Sequence, residues 1–292
     1  MHRADRPSGG VVVGRKVGVA ISPRATAFGP MMFAGQLAEG IRLSSELGFD
    51  LIELSLRDAG DVDRDWLPRT LARSKLKVSA IATGQACLFD GLCLSSSDAS
   101  VRAATVSHLK REIQLAAELG AAIVFGGVRG RLEGDASTRA SPKTAAAEGL
   151  AECVRFAEEL EVEPLLEPIN RYETNFLNTV DEALSFVEQP GLSSLRLLLD
   201  TFHMNIEETD ISGAIHRAGG RLGYMHIADS NRRAPGQGHL PLDAILSTLD
   251  AIGFVGPLVS EILPLPDDAT AARQTAAFWS AHRRSTTKRS LS

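Results

Sequence analysis

Cysteine is scarce in this chain. Three residues, Cys87, Cys93 and Cys153, are too few for a disulfide framework, and none forms a CxxC metal knuckle. Their scarcity points to a reducing compartment, the cytoplasm. Long apolar runs are missing too. Residues 1–15 hold only the brief patch Val11 to Val13, too short for a secretory signal core, and no stretch reaches transmembrane length. Charge of one sign never accumulates, and the net charge is −5, which argues against a nucleic-acid groove as the main surface. The loop after the first apolar run reads SPRATAFGPM, with no GxGxxG or Walker pattern, so a nucleotide-binding open sheet lacks its usual mark. No linker divides the chain.

What is present is ordinary for a globular protein. Hydrophobic residues make up 44% and charged residues 23% of 292, enough to bury a full core. Short apolar runs recur at 16–22, 49–56, 77–84, 121–127, 163–169, 195–201, 222–228 and 257–262. They lack polar alternation, as expected of strands buried on both faces of a parallel sheet. Between them the pattern predicts helices at 33–47, 64–74, 99–119, 142–160, from a cap at Asn178 or Thr179 through Glu188, 210–218, 241–252 and 268–283. Gly48 and Gly120 are placed to end two of these helices. The phrase LGFDLIEL returns as LGAAIVF and IGFVGPLVSEI, a repeated supersecondary unit. Eight strands alternating with eight helices predict an α/β fold, a single (β/α)8 TIM barrel over 16–284. Residues 1–15 read as a loose leader and 285–292 as a frayed basic tail.

The last four strands share a peculiarity. PLLEPINRYETN ends its apolar rise at Glu167, with Pro168 forbidding a helix there. LRLLLDTFHMN ends at Asp200, LGYMHIADSNR carries His226, and PLVSEILP carries Glu261. The gaps are 33, 26 and 35 residues, each about one strand-plus-helix unit. In a barrel these strand tips converge on one mouth. Three like charges held close would repel, and a divalent cation resolves the conflict. Three oxygen ligands and one imidazole suit Mn²⁺, Mg²⁺ or Co²⁺ better than a closed zinc site. A single acid after a strand is more often a helix cap or a loop salt bridge, but four ligands in phase are hard to explain that way. Asn170, Arg171, Glu173, His203 and Arg232 lie nearby in sequence and offer donors and acceptors for a polyhydroxylated ligand. Glu207 and Glu208 read as loop residues, and His108 and His216 as helix residues without a role in chemistry.

The stretches LLEPINRYETNFLNT, LLLDTFHMNIEE, MHIADSNRRAPGQGHL and VSEI resemble the sugar isomerase/epimerase superfamily of xylose-isomerase-like barrels. Within it the chain is similar to the D-tagatose/D-allulose (psicose) 3-epimerases, over about residues 16–280. That resemblance implies that Glu167, Asp200, His226 and Glu261 bind a metal, commonly Mn²⁺. It implies that Glu167 and Glu261 are the acid/base pair, exchanging a proton on opposite faces of the carbon beside a ketone, through a cis-enediolate. It also implies that Glu173, His203 and Arg232 contact substrate, and that the protein forms a homodimer or homotetramer. TGQACLFDGLCLS and GGVRGRLEG resemble the 5-keto-L-gluconate epimerase type. On that reading Arg129 and Arg131 grip a substrate carboxylate, since arginine presents a planar fork to it. The expected substrate is therefore a keto-sugar acid such as 5-keto-L-gluconate or D-tagaturonate. The alternatives are a neutral-ketose 3-epimerase, an aldose–ketose or hydroxypyruvate-type isomerase, and a C-glycoside deglycosidase-like subunit.

Overall fold

The computed structural model describes residues 15–26, 29–134 and 139–289. Most of the expected leader, and the last three residues of the expected tail, lie outside the described residues. Eight parallel strands close into a barrel in sequence order. They are β1 (Val17–Ile21), β2 (Leu51–Ser55), β3 (Lys77–Ala82), β4 (Ala122–Phe125), β5 (Pro164–Leu166), β6 (Arg196–Asp200), β7 (Leu222–His226) and β8 (Leu258–Ser260). β8 pairs with β1 to complete the ring. Each falls inside one of the eight apolar runs.

Among the described residues the α-helices number ten rather than eight. α1 (Leu37–Glu46), α2 (Trp66–Ser74), α4 (Ala99–Leu119), α5 (Ala140–Glu159), α6 (Val180–Val187), α8 (Ile211–Ala218), α9 (Leu242–Ala251) and α10 (Asp268–Arg289) match the periodic segments. α10 runs on past residue 283, through part of the segment read as tail. The two additions, α3 (Gly84–Asp90) and α7 (Thr201–Glu207), follow β3 and β6 directly and sit at the barrel mouth. Helix ends follow local chemistry. Asp98 accepts the Ser100 N–H at the start of α4, and Gly120 ends that helix at φ +63. Thr179 and Glu182 form a capping box on α6, which selects Thr179 over Asn178 as the cap.

The core has two layers. Inside the barrel, Ala20, Ala80, Ala122, Val124, Leu165, Leu198, Tyr224 and Val259 pack together. Three alanines among eight residues keep the centre narrow. Outside the barrel, a larger shell that includes Ile21, Ile52, Ile81, Ile123, Leu166 and Leu199 meets the buried helix faces. Burial of this shell, at about 25 cal/mol per Å² of apolar surface, is what holds the strand tips in fixed register. No helix among the described residues is long and apolar enough to cross a membrane.

Candidate active site

Four functional side chains stand at the C-terminal ends of adjacent strands. Asp200 and His226 are the last residues of β6 and β7 and are paired in register. Glu167 and Glu261 come one residue after β5 and β8. All four are buried. Glu167 and Glu261 line a cavity of about 1200 Å³, and Asp200 and His226 lie buried beside them.

The floor holds buried polar atoms without a hydrogen bond. Asp200 Oδ2 and His226 Nδ1 are buried and have no hydrogen-bond partner. His226 Nδ1 lies 3.6 Å from Glu167 Oε1. Its other nitrogen, Nε2, is 2.9 Å from Oε2 of Glu53, a buried acid in the middle of β2. A proton on Nε2, donated to Glu53, leaves Nδ1 as the nitrogen a cation could take, in place of the second proton that Glu167 favours there in the metal-free protein. Burial pushes the Asp200 carboxyl up to about 7, against the pull of Arg232 and His226. Burial raises Glu167 too, against His226. Burial opposes charge on His226, but Glu53 and Glu167 lift its pKa well above the ordinary value. A cation placed here could replace the protons that these groups hold in its absence. Glu53, His226 and Glu261 lie within ligand distance of one another, as do Glu167, Asp200 and His203. Three carboxylates and an imidazole whose Nδ1 has no hydrogen-bond partner could hold a divalent ion with oxygen preference.

The residues around the floor are tied to it. Arg232 has φ +58 and a largely buried side chain. Its Nη2 donates to Glu261 Oε2 at 2.6 Å and its Nη1 to Glu173 Oε1 at 3.0 Å. Its guanidinium lies 4.8 Å from the Phe202 ring centroid. Asn170 Nδ2 donates to Glu173 Oε1 at 2.9 Å and stands 2.8 Å from His203 Nδ1. With Nδ1 accepting from Asn170, His203 carries its proton on Nε2. That atom is 3.8 Å from both Glu167 Oε1 and Asp200 Oδ2. Burial, with Arg232 and His226 nearby, holds His203 neutral. Arg171 faces away, in an ion pair with Glu207 at 2.7 Å.

Arg129 departs from expectation. It does not line the cavity and is only 1% exposed, the largest fully buried side chain described. Its guanidinium donates to four backbone carbonyls: Gly126 and Glu167 at 2.7 Å, Phe176 at 2.8 Å and Leu177 at 2.9 Å. Burial lowers its pKa to about 10. A guanidinium so occupied cannot grip a substrate carboxylate. Arg129 is instead a staple between the end of β4 and the loop after β5. The stapling continues on either side, with Thr174 donating to the Gly130 carbonyl and Asn175 bonding both ways to Leu132. Gly126 is needed here, because a Cβ on it would lie 2.7 Å from Glu167 Oε2. Arg131 does line the mouth and is exposed, with Nη1 donating to the Glu173 carbonyl at 2.9 Å.

Fold and site together bring buried acids and a histidine that could hold a divalent cation to one barrel mouth. Residues 41–282 match the model of the xylose isomerase-like TIM barrel family, and the chain belongs to that family. It is similar to an L-ribulose 3-epimerase of Mesorhizobium japonicum, 38% identical over 230 residues, which is 77% of this chain and 75% of that one. A D-psicose 3-epimerase of Agrobacterium fabrum is 33% identical over 220 residues, 74% and 76% of the two chains. A solved structure of L-ribulose 3-epimerase superposes with a TM-score of 0.78 at 32% identity, covering 94% of this chain and 96% of the other. These relatives fall in the D-tagatose/psicose 3-epimerase branch, and the chain is an isomerase of the epimerase kind.

Proposed function

We propose that the chain is a divalent-metal-dependent epimerase that inverts the carbon beside the ketone of a ketose. The observation that carries this reading is the pair Glu167 and Glu261 flanking Asp200 and His226, whose buried Oδ2 and Nδ1 have no hydrogen-bond partner. The names of relatives support it: L-ribulose 3-epimerase, ketose 3-epimerase and D-psicose 3-epimerase.

The hydrogen beside a ketone is too weakly acidic for a free carboxylate to remove quickly. Glu167, Asp200, His226 and Glu261 would hold a divalent cation, which would supply Lewis-acid polarisation of the ketone; Mn²⁺ is the expected ion, with Mg²⁺ or Co²⁺ as substitutes. Glu167 takes the proton on one face of the carbon and Glu261 returns one on the other, or the reverse in the back reaction. Arg232 steers Glu261 through its 2.6 Å bond. Glu173 and the Nε2–H of His203 supply hydrogen bonds to substrate oxygens. The keto-sugar acid reading, 5-keto-L-gluconate or D-tagaturonate, loses half its basis with Arg129 and keeps only Arg131, so a neutral ketose takes precedence. A homodimer or homotetramer is part of the proposal and is read by light scattering.

Turnover in D₂O with Mn²⁺ tests the chemistry. NMR should find deuterium at the inverted carbon, and Glu167→Gln and Glu261→Gln should each stop epimerisation. Epimerised product without solvent deuterium would exclude the two-glutamate route.

A further inference from the structure

We infer that Asp229, which does not line the cavity, is the positioning residue that aims Arg232 at Glu261. The inference rests on the epimerase reading and deepens it, by assigning the group that sets one of the two bases. Asp229 stands in the loop after β7, three residues beyond His226, and is buried. Its carboxylate is spent on the backbone of its own loop. Oδ1 accepts the amides of Ser230 at 2.7 Å and Leu240 at 3.1 Å, and Oδ2 accepts the amide of Gly236 at 2.8 Å. Gly238 passes so close that a Cβ on it would lie 2.2 Å from Oδ1. Burial opposes the charge on Asp229, but these amides hold its pKa below the ordinary value. One side chain thus gathers the whole loop from 229 to 240.

The gathered loop delivers Arg232. The Asp229 carbonyl accepts the Arg232 amide at 2.8 Å, and the Asp229 amide donates to the Arg233 carbonyl at 3.0 Å. The Arg232 carbonyl accepts the Leu263 amide at 2.7 Å, which ties the loop to the segment just after Glu261. Held on both sides, Arg232 stands at φ +58, a region that residues with a Cβ enter rarely. Such a conformation persists only where its surroundings fix it, and it is found most often at functional sites.

What the conformation gives is direction. From this backbone the guanidinium reaches Glu261 at 2.6 Å and Glu173 at 3.0 Å, over the Phe202 ring. Relaxing φ to an ordinary value would swing the side chain away from both acids. With Oε2 held by Arg232, Glu261 keeps one orientation toward the reacting carbon, as efficient proton exchange needs. Asp229 therefore acts on the base at one remove, through Arg232.

The test uses the Mn²⁺-loaded protein with L-ribulose, D-psicose and D-fructose, followed by NMR, and two variants that reach the loop differently. Asp229→Asn removes the acceptor charge, and Gly238→Ala pushes the carboxylate aside. Each should lower kcat/KM by about tenfold or more. On an Arg232→Lys background each should add less than about threefold, because the residue through which Asp229 acts is already gone. Losses that multiply in full overturn the inference. Hydrogen exchange gives a readout that needs no turnover. The Leu263 amide, bonded to the Arg232 carbonyl, should lose about tenfold or more of its protection, while the Ile227 amide, bonded to the Val259 carbonyl in the barrel, keeps its own. Unchanged exchange at Leu263, or an equal loss at both amides, overturns the inference. If Asp229→Asn fails to fold, Gly238→Ala carries the same comparisons. Should the unaltered protein epimerise none of the three ketoses, it is the epimerase reading that fails. The exchange at Leu263 against Ile227 then decides the role of Asp229 by itself.

Discussion

Two buried groups of charges lie within one loop of each other, and they are solved in opposite ways. At the floor, acids at the ends of β5, β6 and β8 and the histidine of β7 are packed together, with Asp200 Oδ2 and His226 Nδ1 left without a hydrogen bond. One strand back, the Arg129 cation is as deeply buried, but its donors meet four carbonyls. The first group is unfinished without a ligand, and the second is complete in itself. Burying an unpaired charge costs several kcal/mol, so an unfinished cluster persists only where something else completes it. A residue type at a strand tip does not separate these cases. What separates them is where its hydrogen bonds go.

The largest effect should come from leaving the floor unfinished. Chelation should abolish activity, and Mn²⁺ or Co²⁺ should restore it. Asp200→Asn should weaken Mn²⁺ binding strongly, as read by electron paramagnetic resonance, because a charged ligand is lost. The binding should also depend on pH. The Asp200 carboxyl of the metal-free protein sits at about 7 because of burial, so below that pH a proton competes with the ion. Mn²⁺ affinity should therefore fall as pH drops through 7 toward 5. Full activity in the chelated protein, or an affinity flat across this range, would remove the distinction between the two groups.

Arg129→Met tests the finished group. It removes a buried cation and strands four carbonyls, a change of about 3–5 kcal/mol by analogy with broken buried pairs. The melting temperature should fall by on the order of 10 °C. Because Nη1 binds the carbonyl of Glu167 itself, Mn²⁺ affinity should drop as well. A stable variant would show that the staple is dispensable.

Much of this was legible in the residues. Glu167, Asp200, His226 and Glu261 could be read because each interrupts an apolar run at its end, and the run itself gives the strand. The barrel followed from the same runs. Glu53 was not legible as part of the site. An acid inside FDLIELSL looks like an outward-facing residue, and only the closed barrel turns it toward His226 across the interior. α3 and α7 were hidden because seven residues are too few to show helical periodicity. Arg129 misled for a related reason. A glycine-rich loop at a strand tip looks the same whether its arginine points at a ligand or at its own backbone. The signal that distinguishes them, the carbonyls of residues 167, 176 and 177, lies some 40 to 50 positions away.

Glu53 gives the next, smaller effect. Glu53→Gln keeps the shape but removes the acceptor charge that orients the His226 ring. Loss of such a supporting partner costs about 10–100-fold in metal affinity or activity. Mn²⁺ titration checks this, and an unchanged affinity would mean that the ring is held by packing, with Tyr224 at 5.6 Å the candidate.

Arg131 should give the smallest effect, and one that depends on the substrate. It is exposed at the mouth and spends one donor on the Glu173 carbonyl, leaving the rest of its fork open to the cavity. A carboxylate reaching that far would gain a charge-assisted hydrogen bond, weakened by solvent. Arg131→Ala should then raise KM for 5-keto-L-gluconate about tenfold, equivalent to ~1.4 kcal/mol, and leave D-fructose or D-tagatose nearly untouched. Equal small losses on charged and neutral compounds would mean that Arg131 serves the loop, as Arg129 does. The two arginines of GGVRGRLEG would then form one structural unit. The neutral-ketose reading would stand alone, because no cation on this side of the mouth would remain to select an acid.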